Sequence, residues 1–281
     1  MSGFVKEHPA LSQFALAFGI GTAILIPVNA GILPQGLFML AAFSASLAGI
    51  ALTALVSGKE GLRDLFSKLR IWRVGTGWWT FAVFSVLGVV ILAMAANALF
   101  GLGSFEPGRI ISGMGSFVPF FVMLMITGGL GEELGWRGFM LPRIQARHNA
   151  LVASLIVGIL HGLWHVPMFF IEGLSPYQEM AAAANVIVVI LGYTLFYITP
   201  WAILYTCLLN NTRGSLLLVA AMHAGEAWVL SSWDISNTSG FIGLGIGMTL
   251  TAIIVLLIFG PKHLSRTNEK FMIDEREEVG S

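Results

Sequence analysis

Eight apolar runs, each long enough to cross a bilayer as a helix, divide this chain of 281 residues. A hydrocarbon core takes roughly 20 helical residues to span. The runs fall at 10–31, 33–57, 78–100, 115–131, 150–171, 183–209, 215–232 and 241–260. Charged residues make up only 11% of the chain, against roughly 25% in a soluble domain. Inside a bilayer every backbone N–H and C=O must be satisfied within the protein, and runs of this length do so as helices. The expected fold is therefore all-α: a single polytopic membrane domain over 1–281, with about eight transmembrane helices around a polar intramembrane cavity. Pro200 interrupts the long sixth run and predicts a kink there or a division into two pieces.

The basic residues order these runs. With eight crossings, Lys6, Lys59, Arg63, Lys68, Arg70, Arg73, Arg137, Arg143, Arg147, Arg213, Lys262, Arg266, Lys270 and Arg276 all fall on one side, and only Arg109 on the other. Fourteen against one predicts that both termini lie in the cytoplasm. The first run is too long for a signal-peptide core and lacks a small-residue cleavage site, so no cleaved signal is expected. The compact chain leans towards a prokaryotic plasma membrane. Net charge is zero and no basic patch carries interleaved aromatics, which argues against nucleic acid and leaves membrane lipids as the general partner. The single Cys207 allows no internal disulfide and no cysteine-rich metal site.

Two cytoplasmic segments stand out. Residues 58–73 read as an amphipathic helix with Leu62, Leu65, Phe66 and Leu69 on one face and a basic opposite face, suited to lying on an anionic leaflet. Trp72, Trp78 and Trp79 then anchor the next span at the interface. The tail 262–281, with the acidic cluster Asp274 to Glu278, is expected to be solvated.

Three runs carry ionisable groups, and these are functional candidates because a charge at mid-bilayer costs roughly 2.5–3.5 kcal/mol on insertion scales. Glu132, Glu133 and Arg137 lie in Gly131-Glu-Glu-Leu-Gly-Trp-Arg-Gly138, at the end of the fourth run. Glu133 and Arg137 are four apart with the acid first, the favourable orientation for an intrahelical pair. Glu132 is turned by about 100° from Glu133 and is expected to stay free of that pair, available for general acid and base work. A capping role for both acids would conflict with the dipole at a helix C-terminus. His161 and His165 share a face of the fifth run, with Pro167 expected to bend the helix beside them. His223 and Glu226 share a face of the seventh. Ionisable groups inside a bundle face its interior, so convergence of the three sets on one site is the economical expectation. Two histidines four apart also suit a metal, although the His-Glu-x-x-His signature is absent.

Glu-Glu-x-x-x-Arg at 132–137 with its continuation Gly138-Phe-Met-Leu-Pro-Arg-Ile-Gln145, Trp-His-x-Pro at 164–167, and a late intramembrane histidine at 223 together resemble the CPBP family of CAAX prenyl endopeptidases and bacteriocin-processing proteins. The resemblance runs over roughly 58–232, with the core at 115–232. It implies an eight-helix intramembrane glutamic protease that uses no cofactor and no metal and acts on a peptide or protein substrate, in some members a lipidated one. It further implies that Glu132 activates a water, that His165 shares and orients it, and that His223 helps hold the oxyanion. Glu133, Arg137, His161 and Glu226 would support them. Two positions depart from the family pattern: His161 stands where an aromatic is usual, and Ala227 where Asn or Asp is usual. Loss of an oxyanion donor lowers rates by about 10²–10³-fold elsewhere. Two rival readings follow from the same residues: a zinc protease using His161, His165 and His223 with Glu132, and a non-catalytic scaffold, immunity protein or proton-coupled carrier.

Overall fold

The computed structural model of the chain describes residues 2–102, 115, 117–171, 181, 185–232 and 238–273. Arg109, Glu179 and the acidic cluster Asp274 to Glu278 lie outside the described residues. The architecture is all-α. A short α1 (Ser2–Glu7) leads into α2 (Pro9–Asn29), α3 (Met39–Ser67) and α4 (Thr76–Phe100). Then come α5 (Phe117–Arg147), α6 (Ala150–Trp164), α7 (Val186–Asn211), α8 (Leu216–Ser232) and α9 (Thr238–Phe259).

Among the described residues, 7 helices are long and apolar enough to cross a membrane, and the protein is an integral membrane protein. The eighth expected span corresponds to α8, which is apolar but shorter, at 17 residues. The helix α5 packs between α3 and α8, α6 lies along α7, and α4 along α9. In lipid, helices associate by close packing of small residues rather than by expelling water. Gly135 on α5 shows why: a Cβ there would lie 2.1 Å from the carbonyl oxygen of Ala45 on α3. No other side chain fits that crossing.

The structure corrects two expectations. The fourth span does not end at 131. It continues as one helix to Arg147, so the Glu132–Arg137 motif sits in mid-helix rather than at an end. Two wide π-helical stretches, Met125–Leu130 and Leu134–Met140, flank Gly131–Glu133. Such turns hold an extra residue and are frequent at functional sites. Ser46 Oγ on α3 donates to the Leu130 carbonyl across 2.7 Å, giving one carbonyl of this irregular stretch a partner.

The segment 58–73 opens with a helix of its own, as expected, set off from the preceding span by a kink at Gly58. At Gly58 a φ of 60° and a ψ of −150° break α3 into the span and this second helix, which ends by Arg70. Leu65 is buried against α5 beside Gly138, while Phe66 is 43% exposed, so this stretch docks on protein as well as facing outwards.

The tail is the second correction, because residues 261–271 are stapled to the bundle. Lys262 accepts from the Ala150 N–H, and Leu264 is fully buried. Asn210 Oδ1 accepts the Phe271 N–H at 3.0 Å while Gln145 Nε2 donates to the Phe271 carbonyl at 2.9 Å. Buried amides on α5 and α7 need partners, and the tail backbone supplies them.

Pro200 neither splits nor ends its span. The wide turn Tyr193–Ile198 precedes it, and Thr199 Oγ1 donates to the Thr194 carbonyl at 2.7 Å. Pro167 behaves as expected, since α6 ends at Trp164 and a tight 3₁₀ turn, Val166–Phe170, follows His165.

Candidate active site

Three helices bring the expected residues together: Glu132, Glu133 and Arg137 from α5, His161 and His165 from the end of α6, His223 and Glu226 from α8. All are nearly buried, but unequally. Arg137 and Glu133 are sealed at 0% and 1% exposure, whereas Glu132, His165, His223 and Glu226 keep 5–8%. The second group forms the open side of the cluster.

The Glu133–Arg137 pair forms as the spacing predicts, with Arg137 Nη1 donating to both carboxylate oxygens at 2.9 and 3.0 Å. Its guanidinium lies 4.2 Å from the centre of the Tyr205 ring, a cation–π contact that faces the group with an apolar partner. Glu133 also reaches across to α8, where it accepts from His223 Nδ1 at 2.7 Å. Gly128, one turn earlier on α5, makes room for that ring: a Cβ there would lie 2.8 Å from His223 Nε2.

Glu132 stays clear of the Glu133–Arg137 pair, as expected, but it is not left without a partner. His161 Nε2 lies 2.7 Å from its Oε2, and His223 Nε2 stands 3.9 Å from its Oε1. The helical offset separates Glu132 from Glu133 correctly, but helix geometry within α5 says nothing about what α6 presents to it.

The tautomers follow from the partners. Arg137 Nη1 is 3.4 Å from His161 Nδ1, and a guanidinium can only donate, so Nδ1 accepts and Nε2–H points at Glu132. His165 Nδ1 lies 2.9 Å from the His161 carbonyl, which fixes Nδ1–H as a donor and leaves Nε2 an acceptor when the ring is neutral. His223 follows the same rule, with Nδ1–H given to Glu133. The open side therefore presents two acceptors, Glu132 Oε1 and His165 Nε2, beside His223 Nε2, which accepts when that ring is neutral and donates when it is a cation.

Ligand atoms of Glu132, His161 and His165 lie within 4.8 Å of one another, a donor set of the right type for a metal. The His161–Glu132 distance of 2.7 Å is that of a charge-assisted hydrogen bond. Two ligands at ordinary zinc distances in a tetrahedral shell stand about 3.3 Å apart. An ion here would also need the Nε2 lone pair that the contact with Arg137 assigns a proton, so the arrangement fits a hydrogen-bonded acid better than a metal shell.

Two aromatic residues escaped the sequence reading. Trp136 is fully buried, with its ring centre 4.9 Å from that of His161. Tyr205 on α7 donates its O–H to Glu226 Oε2, and its ring lies parallel to that of His223 at 6.0 Å. A tryptophan or tyrosine in an apolar run carries no signal that separates it from ordinary core. Cavities elsewhere include about 460 Å³ of apolar space between α7 and α9, about 400 Å³ between Arg70–Arg73 and Arg213, and about 270 Å³ beside Arg143.

Fold and site together define a polytopic membrane protein with a buried acid–imidazole cluster between three helices. Residues 114–229 match the family model of the Rce1-like type II CAAX prenyl endopeptidase, and every ionisable residue of the cluster falls within that range. A CAAX prenyl protease 2 from Methanococcus maripaludis is 27% identical over 172 residues, which cover 60% of this chain and 61% of that protein. The chain thus spans about three fifths of the length of the curated relative it matches. Both matches support membership of the CPBP and CAAX prenyl protease family.

Proposed function

We propose that the chain is an intramembrane endopeptidase in which Glu132 activates a water for attack on a peptide carbonyl. The observation that carries this reading is the convergence of two acceptors, Glu132 Oε1 and His165 Nε2, with His223 Nε2 on the open side of the cluster. A water has two protons to give and needs such a site to become nucleophilic. In the first step Glu132 takes one proton, the water oxygen bonds to the carbonyl carbon, and the carbonyl oxygen gains the charge. His165 accepts the second water proton in a hydrogen bond and so orients the attack. The carboxylic acid formed at Glu132 then protonates the peptide nitrogen, and the C–N bond breaks to leave an acid and an amine.

Behind this front, Glu133 holds His223 and is itself held by Arg137. A carboxylate behind an imidazole stabilises its cation, which can donate to the oxyanion. His161 holds Glu132 in register. None of these steps uses a metal.

The substrate is a peptide or protein reached within the membrane. The curated relative is named a CAAX prenyl protease, which favours a lipidated C-terminal segment as the first to try. The bias of basic residues favours cytoplasmic termini, and the compact chain favours the plasma membrane of a prokaryote. The test is cleavage of a prenylated CAAX peptide carrying a fluorophore and quencher by the purified chain and by Glu132→Gln. Cleavage by wild type alone supports the reading. Equal behaviour of the two would point to the scaffold or carrier instead.

A further inference from the structure

A tetrahedral oxyanion in a water-poor site needs more than one hydrogen-bond donor. The cluster is rich in acceptors and short of donors. Arg137 Nη1 is spent on Glu133, while Arg137 Nε and Nη2 and Trp136 Nε1, which have no hydrogen-bond partner among the described residues, belong to side chains sealed at 0% exposure, away from the open side. His161 Nε2–H is directed at Glu132, and His165 Nδ1–H at the His161 carbonyl. His223 gives Nδ1–H to Glu133 and offers one further donor, at Nε2, only as a cation. The next residue on that face, Ala227, has only a methyl group.

Among the described ionisable residues of the cluster, Glu226 with its partner Tyr205 offers a further exchangeable donor on the open side. Tyr205 O–H engages Glu226 Oε2, which leaves Oε1 of a residue that is 7% exposed. Glu226 lies one helical turn after His223 on α8, and the Tyr205 and His223 rings are parallel neighbours. The cluster contains three carboxylates, Glu132, Glu133 and Glu226, against one permanent cation, Arg137. Holding one acid neutral removes a like charge from a poorly solvated place.

We propose that Glu226, as a neutral carboxylic acid, donates from Oε1 to the oxyanion as the second donor beside His223, and that Tyr205 positions it by bonding Oε2. The proton stays on Glu226 throughout, so nothing is transferred and the balance of the hydrolysis is unchanged. This inference rests on the endopeptidase reading above. It assigns Glu226 a catalytic role and Tyr205 a positioning one.

Steady-state cleavage of the quenched prenylated CAAX peptide by the full chain tests it. Glu226→Leu should lower kcat by about 10²–10³-fold with KM within about twofold, the loss typical of an oxyanion donor. Glu226→Gln keeps an N–H donor and should lose less than about tenfold. Tyr205→Phe keeps the ring over Arg137 and removes only the O–H, so kcat should fall by about tenfold, the size of one hydrogen bond. Melting temperatures of the variants guard against misfolding, and Glu226→Gln with Tyr205→Phe carry the test if Glu226→Leu does not fold. A dead Glu226→Gln beside an active Glu226→Asp would mean that the ionised carboxylate is required, and the proposal fails. Full activity in Glu226→Leu or in Tyr205→Phe would overturn it too. Should wild type and Glu132→Gln behave alike, the endopeptidase reading itself has failed, a result distinct from any of these.

Discussion

His161 Nε2 and Glu132 Oε2 meet at 2.7 Å across the contact between α6 and α5, and this contact decides what Glu132 can do. One oxygen is committed to the imidazole and the other turns towards His223, 3.9 Å away. A carboxylate with one oxygen anchored and one open is oriented without being consumed.

Replacing His161 by Phe should release that anchor. A reacting group misplaced by about 1 Å loses about 10²-fold in rate, so kcat should fall by that order while the fold survives. His161→Gln restores an N–H donor and should recover part of the loss. Kinetics of the two variants side by side check this, and equal rates in both would remove the anchoring role.

The two adjacent glutamates should differ in stability. Glu132→Gln keeps a partner for His161 through its amide oxygen, so its melting temperature should stay close to wild type. Glu133→Gln leaves Arg137 buried without its counter-charge, and breaking one side of a buried pair costs about 3–5 kcal/mol. Unfolding in detergent distinguishes them, and equal losses would contradict the separate roles.

Thorough chelation should leave cleavage unchanged, and elemental analysis of the purified chain should find no stoichiometric zinc. If activity and bound metal disappear together in His161→Phe, the Glu132–His161–His165 set is a metal shell and the hydrogen-bond assignment is wrong.

Topology is checked with single cysteines in a Cys207→Ala chain. Cysteines at Lys59 and His148 should react with an impermeant thiol reagent only from the cytoplasmic side, and one at Glu179 only from the other. A cytoplasmic position 179 would break the eight-span order.

Removing the staple should loosen the bundle. Phe271→Ala loses a ring that packs over Gly214 and beneath Lys68, and for a partly buried aromatic the loss is about 1–3 kcal/mol. The expected outcome is a lower melting temperature, while a catalytic residue would leave it unmoved.

Apolar run length alone located the long helices and their order, because a bilayer core sets a minimum helix length. The seven long helices and α8 fall where the runs do. Spacing also determined the Glu133–Arg137 pair, since residues four apart share a helix face whatever surrounds them. Only the tertiary structure decided the rest. That α5 continues past 131 depends on α3 pressing on Gly135 and on Ser46 supplying a partner for the Leu130 carbonyl. That Glu132 is held by His161, and that Tyr205 belongs to the site at all, depends on which faces of α6, α7 and α8 turn inward. The docked tail likewise answers to amides on two other helices. Periodicity reports the partners a residue finds on its own helix. Those it finds across the bundle are chosen by close packing between helices far apart in the chain, and no local pattern records them.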